Sequence, residues 1–292
     1  MLSILIPVYN YNAFPLVLEL HKQCVATGIN FEILVQDDGS IYFDNENNKI
    51  NEFQNCHFLK SDKNVGRTTT RNKLVNTAAY DWLLFLDADV IPVHQDFVKN
   101  YISEFNSNYN VIFGGYQYQK INPDLNSEFR YKYGRKREEK SALERNINPY
   151  QFIFSGNFLI QKKTFLETSF KEDKNFYGMD IYFSYQLFIK KIKVLHIENP
   201  IYHLGLETNE IYFKKSLKAV ESRKKFLVNC EQIEKISPLI KSYNKIKRYH
   251  LIPIVTVFFK ISEPILKNRI LTQNPNLVLF DVYRLGYMCT LK

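Results

Sequence analysis

Cysteine is scarce in this chain, and its four copies never come in pairs. Cys24, Cys56, Cys230 and Cys289 form no Cys-x-x-Cys and no zinc-binding spacing, which argues against a disulfide scaffold and leaves reduced thiols in a cytoplasmic protein as the expectation. No apolar run reaches 18 residues, so no membrane-spanning helix is expected. The opening stretch, Met1-Leu2-Ser3-Ile4-Leu5-Ile6-Pro7, lacks a basic flank and a long apolar core, and no signal peptide is expected. Internal repeats, low-complexity tracts and recognised nucleic-acid-binding motifs are absent as well.

What is present is a chain able to fold around a sizeable core. Apolar residues make up 45% of the 292, enough to argue against wholesale disorder. The net charge of +9 is unevenly spread. Residues 1–90 hold 7 Lys/Arg against 11 Asp/Glu, 91–209 hold 16 against 13, and 210–292 hold 16 against 6. The basic excess therefore belongs to the C-terminal part, where anionic lipid headgroups are a fitting partner and nucleic acid, for want of a motif, is not expected.

The N-terminal third alternates in the manner of a doubly wound α/β sheet. Ser3 to Val8 reads as a strand, 14–26 as a helix and Phe31 to Val35 as a second buried strand. Residues 41–55 are polar and Asn-rich, read as a loop with a short helix. Cys56 to Leu59 is a short third strand, and the turn Asn64-Val65-Gly66-Arg67 leads into a helix through Ala79. Leu83 to Leu86 is a wholly apolar run, the mark of a strand buried on both faces. It ends in Asp87-Ala88-Asp89, which places two carboxylates one residue apart at the sheet edge where open α/β sheets bind ligands. Beyond residue 92 the alternation loosens. Strands are expected over Val111–Gln119 and Phe152–Ile160, a polar cleft cover over 120–150, a helix over Met179–Lys191, and an extended stretch over Val194–Tyr202. From about residue 210 the pattern is helical and basic.

Four segments in order carry a resemblance: Ser3-Ile4-Leu5-Ile6-Pro7-Val8-Tyr9-Asn10, Val35-Gln36-Asp37-Asp38-Gly39-Ser40, Asn64-Val65-Gly66-Arg67 running to Arg71-Asn72, and Leu84-Phe85-Leu86-Asp87-Ala88-Asp89. Their order and spacing resemble a family 2 glycosyltransferase of the GT-A fold, most of all bacterial members that build surface polysaccharides. The resemblance covers about residues 1–205. It implies a Rossmann-like, doubly wound mixed sheet as domain 1–209, with a nucleotide-binding half over 1–92 and an acceptor half over 93–209. A mainly helical, basic extension over 210–292 follows.

The resemblance also assigns roles. Pro7, Val8 and Tyr9 would hold the base of a nucleotide-sugar donor, most fittingly a UDP-sugar. Asp38 would accept the base's imide N–H, Gly66 would let the backbone approach the donor, and Arg71 would face the uridine or its diphosphate. Asp87 would bind ribose or metal. Together with Asp89 and His203 it would hold Mn²⁺ or Mg²⁺ against the diphosphate. Asp180, in Gly178-Met179-Asp180, matches the second acid of the family's usual Glu-Asp pair. It would be the general base that deprotonates an acceptor hydroxyl. Asn157 would line the acceptor site.

The implied activity is inverting, metal-dependent transfer of a hexosyl or N-acetylhexosaminyl group to a hydroxyl of a glycan or lipid-linked glycan. Met179, standing where the first acid is usual, keeps open a catalytically degenerate member that binds nucleotide sugar or a partner without turnover. A nucleotidyltransferase would need a Gly-rich, Arg/Lys-bearing loop after the first strand, and Pro7 to Asn12 offers none. Residues 251–259 are apolar within a basic collar of Lys247, Arg248, Lys260, Lys267 and Arg269, which suits either packing on the catalytic domain or lying on an anionic membrane. The expected location is cytoplasmic, with a peripheral site on the inner face of the membrane if the collar is used.

Overall fold

The computed structural model describes residues 1–121, 124–169 and 176–292. Its ten strands are Leu2–Val8 (β1), Phe31–Asp37 (β2), Cys56–Lys60 (β3), Trp82–Leu86 (β4), Val90–Pro92 (β5), Val111–Phe113 (β6), Tyr116–Gln117 (β7), Asn157–Gln161 (β8), Val194–His196 (β9) and Ile201–His203 (β10). Seven of them form one mixed sheet in the order β3-β2-β1-β4-β8-β6-β9, and β5-β10-β7 form a second, small sheet. β1 to β4 are mutually parallel, and β8 runs antiparallel to both β4 and β6. The strand order therefore reverses between β1 and β4, the switch point at which doubly wound sheets open a crevice beyond the carboxyl ends of their strands.

β4 explains why the sheet is so firmly placed. Leu84 and Leu86 pack into the cluster that holds Leu16, Val17 and Leu20 of the helix Phe14–Thr27. Phe85, turned to the other face, stacks on Phe158 at 4.9 Å and on Phe165 at 4.9 Å. Burying such side chains stabilises the fold by roughly 1.5–3 kcal/mol each, so β4 has no face it can show to water. Its end is fixed accordingly.

The expected strand over Val111–Gln119 proves to be two, β6 and β7, which part at Gly114-Gly115 and join different sheets. The strand expected from Phe152 begins only at Asn157, and the extended stretch after Val194 is divided into β9 and β10. Of the polar stretch 120–150, residues 139–150 carry the helix Ala142–Ile147, which is started by a full capping box between Ser141 and Glu144.

The chain divides into two compact units, Met1–Tyr118 with Glu139–Asn175 and Leu187–Gly205, and Gln119–Glu138 with Phe176–Gln186 and Leu206–Lys292. Both sheets lie in the first. The second is helical, with helices Asn209–Leu227, Pro238–Arg248, Ile252–Ile270 and Leu277–Thr290. Its core is aromatic: Phe129, Tyr212, Phe213, Phe259, Phe280 and Tyr283 are buried together.

In the first unit one buried cation organises the region behind β6. Arg145 is fully buried and donates to the carbonyls of Phe113, Gly114 and Ile197. It also lies 3.0 Å from His196 Nδ1. A guanidinium has only donors, so Nδ1 must accept, and the His196 proton sits on Nε2, which donates to Pro149 O at 2.8 Å. Burial, with Arg145 adding to it, pushes the His196 imidazole down to about 4. A group whose folded value lies below its ordinary value of about 6.5 contributes stability in full above that value and loses it as pH falls toward 4. Folding stability is expected to drop by about 3 kcal/mol over this window from His196 alone, and His196→Gln to flatten the slope. Urea unfolding midpoints measured between pH 7 and pH 4 check both.

Candidate active site

Every strand end that flanks the switch point carries a polar group. β1 ends in Val8, whose carbonyl accepts from Asp38 N, and is followed by Tyr9, half of whose surface faces solvent. β2 ends in Asp37 and Asp38, both buried. Asp37 caps its own turn through the Ser40 backbone N–H and hydroxyl. Asp38 accepts from the backbone N–H groups of Val65 at 2.7 Å and Gly66 at 2.9 Å. Each oxygen of its carboxylate thus accepts one backbone N–H, and the pair holds the turn before the helix Arg67–Thr77 against β2 and positions Gly66.

β4 delivers Asp87 to a pair of guanidiniums. Arg67 Nη2 donates to Asp87 Oδ1 at 2.5 Å and Oδ2 at 2.6 Å, and Arg71 Nη2 to Oδ1 at 3.0 Å. Both arginines reach on to Ser155, Arg67 to its hydroxyl and Arg71 to its carbonyl. Arg71 also stands over the Phe85 ring, 5.6 Å from its centroid. Burial works against the Asp87 charge, but Arg67 and Arg71 outweigh it and hold the carboxyl below its usual range. Arg67 is a site residue that the sequence reading passed over, although its spacing of four from Arg71 puts both on one face of the helix.

Asp89 and His203 are brought together by the small sheet. Its register pairs His203 with Val90, and Leu204 N donates to Asp89 O at 2.8 Å. His203 Nε2 thus lies 3.4 Å from Asp89 Oδ2, while its buried Nδ1 has no hydrogen-bond partner among the described residues. Burial pushes the Asp89 carboxyl up, against the pull of His203 and with the charge of Asp87 adding to it. An oxygen and a nitrogen at this separation fit adjacent positions on one small divalent cation. Asp87 does not complete a cage, since the arginines occupy it. Among the described residues no three His, Cys, Asp or Glu gather as a metal site, so a cation held here would draw on the donor's phosphates and water for its remaining positions.

Two close approaches keep these carboxylates in place. A side chain on Gly156 would run into the Asp87 carboxylate and the Tyr116 hydroxyl, and one on Gly205 into Asp89. Tyr116 Oη accepts from Gly156 N at 2.9 Å, so β7 too is tied to this edge.

The acceptor-lining role expected of Asn157 needs a correction. The residue is fully buried, accepts from Tyr101 Oη at 2.7 Å, and donates to Gly115 O and Asn199 O. It fastens loops to the sheet and faces no acceptor. His196, closed in by Arg145 and Pro149, has no nitrogen left for a metal.

Asp180 opens the helix Asp180–Ile189 and belongs to the second unit. The preceding residues run along the helix Asn209–Leu227. Lys215 Nζ stands over the Tyr177 ring at 5.6 Å, and a Cβ on Gly178 would lie 2.9 Å from Ala219 Cα. Arg223 follows Ala219 at the same spacing of four. Burial and Arg284 weaken the proton affinity of its guanidinium, while Tyr133 and Asp180 strengthen it. Asp180 thus follows Met179 in sequence and lies within the electrostatic reach of Arg223.

Residues 3–170 match the family described as Glycosyl transferase family 2. An uncharacterised glycosyltransferase of Methanocaldococcus jannaschii is 25% identical over 206 residues, 65% of this chain and 70% of that protein. Among solved structures, a mannosyltransferase from Pyrobaculum calidifontis in complex with GDP-Man and Mn²⁺ superposes with a TM-score of 0.57 at 11% identity, over 82% of this chain and 68% of that one. S. aureus TarS 1–349 in complex with UDP-GlcNAc gives 0.54 at 15% identity, over 98% of this chain and 89% of that one. At these identities the solved structures speak for the fold, a GT-A sheet.

The ion-pair geometry predicts unequal costs. The Arg71 and Asp87 side chains are 11% and 17% exposed, that of Arg67 46%. Asp87→Ala strands a buried cation and is expected to destabilise by roughly 3 kcal/mol, whereas Arg67→Ala is expected to cost about 1 kcal/mol or less. Urea denaturation of both variants at pH 7 measures the difference.

Proposed function

The chain belongs to glycosyl transferase family 2, and from that premise we propose that it moves one sugar from a UDP-linked donor to a hydroxyl of a glycan or lipid-linked glycan, with inversion at the anomeric carbon. One observation carries the reading: Tyr9, the Asp87–Arg67–Arg71 triad and the Asp89–His203 pair all lie where the strands beside the switch point end. Tyr9 offers an exposed ring on which a base stacks. Arg67, the more exposed of the two guanidiniums, faces a diphosphate while Arg71 and Asp87 hold its neighbourhood in shape. Asp89 and His203 would hold Mn²⁺ or Mg²⁺, which when bound offsets the charge on the departing nucleoside diphosphate. UDP is favoured because the likeness that runs through nearly the whole chain is to a protein solved with UDP-GlcNAc.

In the transfer itself the acceptor oxygen forms its bond to the anomeric carbon as the bond from that carbon to the diphosphate oxygen breaks. The hydroxyl proton passes to Asp180. The electron pair of the broken bond leaves with the diphosphate. Asp180 needs to accept only one proton. No glycosyl-enzyme is required, because one base and one stabilised leaving group suffice for a single displacement.

Met179 favours a second reading, in which nucleotide sugar binds and no transfer follows. Thermal unfolding with a panel of nucleotide sugars and Mn²⁺, paired with mass-spectrometric detection of transfer, separates the two. UDP-sugars are expected to raise the melting temperature of both the native chain and Asp180→Asn, while transfer falls at least about 100-fold in the variant. Undiminished transfer by Asp180→Asn removes the proposed base. Stabilisation with no transfer by the native chain supports the second reading, and a melting temperature indifferent to every nucleotide sugar overturns both.

A further inference from the structure

Helix Ile252–Ile270 carries two apolar faces where a surface helix of a water-soluble unit carries one. One face is packed: Phe259 and Ile270 are buried in the aromatic core of the second unit. The other is bare. Ile254, Phe258, Ile261 and Ile265 follow at intervals of four, three and four, with Val257 beside them, and all five are between 53% and 73% exposed. At 100° per residue they form a single stripe on the side away from Phe259 and Ile270. An apolar strip this long on a protein surface marks something that binds there.

The charges around the stripe say what. Lys241, Lys245, Lys247, Arg248, Lys260, Lys267 and Arg269 are all exposed on this helix and on Pro238–Arg248 before it. Across the same stretch, 241–269, the single acid is Glu263, which accepts from Tyr283 Oη at 2.8 Å. A second copy of the chain seated on the stripe would bring two such collars together. An anionic surface is complementary to the collar. Exposed Tyr249 and Leu251 stand just ahead of the helix, an aromatic and an apolar group of the kind that seats at a bilayer's polar boundary. Arg269, at the far end of the stripe, lines a cavity of about 680 Å³ together with Thr272, Gln273, Asn274, Asn276 and Leu279. No single helix is long and apolar enough to cross a membrane among the described residues, and the two helices meet at a bend of 119°. A helix packed on one face and apolar on the other suits a place in the interface plane.

We infer that this face docks the protein on an anionic phospholipid bilayer, with Ile254, Phe258, Ile261 and Ile265 entering the acyl boundary and the lysines and arginines around them meeting headgroup phosphates. The proposal does not rest on the transfer reading, and its test uses no sugar donor. The full chain is sedimented with vesicles of phosphatidylcholine alone or mixed with phosphatidylglycerol, at low and high salt. Binding is expected to be at least about tenfold tighter to the anionic vesicles and to weaken with salt. The double variant F258D/I261D is expected to lose at least about tenfold, and K260E/R269E a similar factor, with melting temperatures unchanged because all four side chains are exposed. Equal binding to both vesicle types, or equal binding by the native chain and F258D/I261D, overturns the proposal. So does a native chain that ignores vesicles and sediments as a dimer that F258D/I261D dissociates, which would make a second copy the occupant.

Discussion

The carboxylate of Asp87 is shared between two guanidiniums, and that sharing fixes most of what surrounds it. Arg67 and Arg71 together keep Asp87 charged at its depth. Their pairing therefore couples the end of β4 to the helix Arg67–Thr77 and, through Ser155, to the turn that starts β8. Asp38 secures the same end of that helix by accepting the N–H groups of Val65 and Gly66. A helix pinned at its first turn from two strands cannot rotate, and so Arg67 is held where its outer side meets solvent.

Much of this sheet could be read from residues alone, because buried parallel strands leave continuous apolar runs and the turns between them leave Asp, Asn and Gly. Leu83–Leu86 and the carboxylates behind it were visible in that way. The fates of those carboxylates were not. Asp37 and Asp38 look alike in sequence, and both turn out to serve backbone amides, one its own turn and the other a turn 27 residues further on. Asn157 looked like a cleft residue because it stands beside Ser155 and Gly156. Its burial follows from Tyr101, Gly115 and Asn199, which reach it across the fold. Arg67 was legible in principle, by its spacing from Arg71. The nearness of His203 to Asp89 depends on a strand pairing between residues more than a hundred positions apart, and no local pattern encodes it.

The helical unit shows a different limit. A drop in acidic residues and a change of periodicity locate a boundary near residue 210, yet Phe129 packs on Phe280 at 4.7 Å and Phe176 on Phe226 at 4.7 Å. Aromatic side chains in short, polar-looking segments carry too little periodicity to reveal which core they will join. Asp180 sits in one of those segments. Its helix start is readable as an acid favoured by the helix dipole, while Arg223 is a neighbour only in three dimensions.

The backbone leaves the sheet-bearing unit and returns to it twice before entering the helical unit for the last time at Leu206. Neither unit is consequently a bead on a string. Cutting the polypeptide after Gly205 would strand 119–138 and 176–186 without the core that buries their aromatic rings, and grafting 206–292 onto another protein would leave that core short of Phe129 and Phe176. The two parts are interwoven along the polypeptide and inherit as one piece, so recombination by simple end-to-end fusion is closed to them.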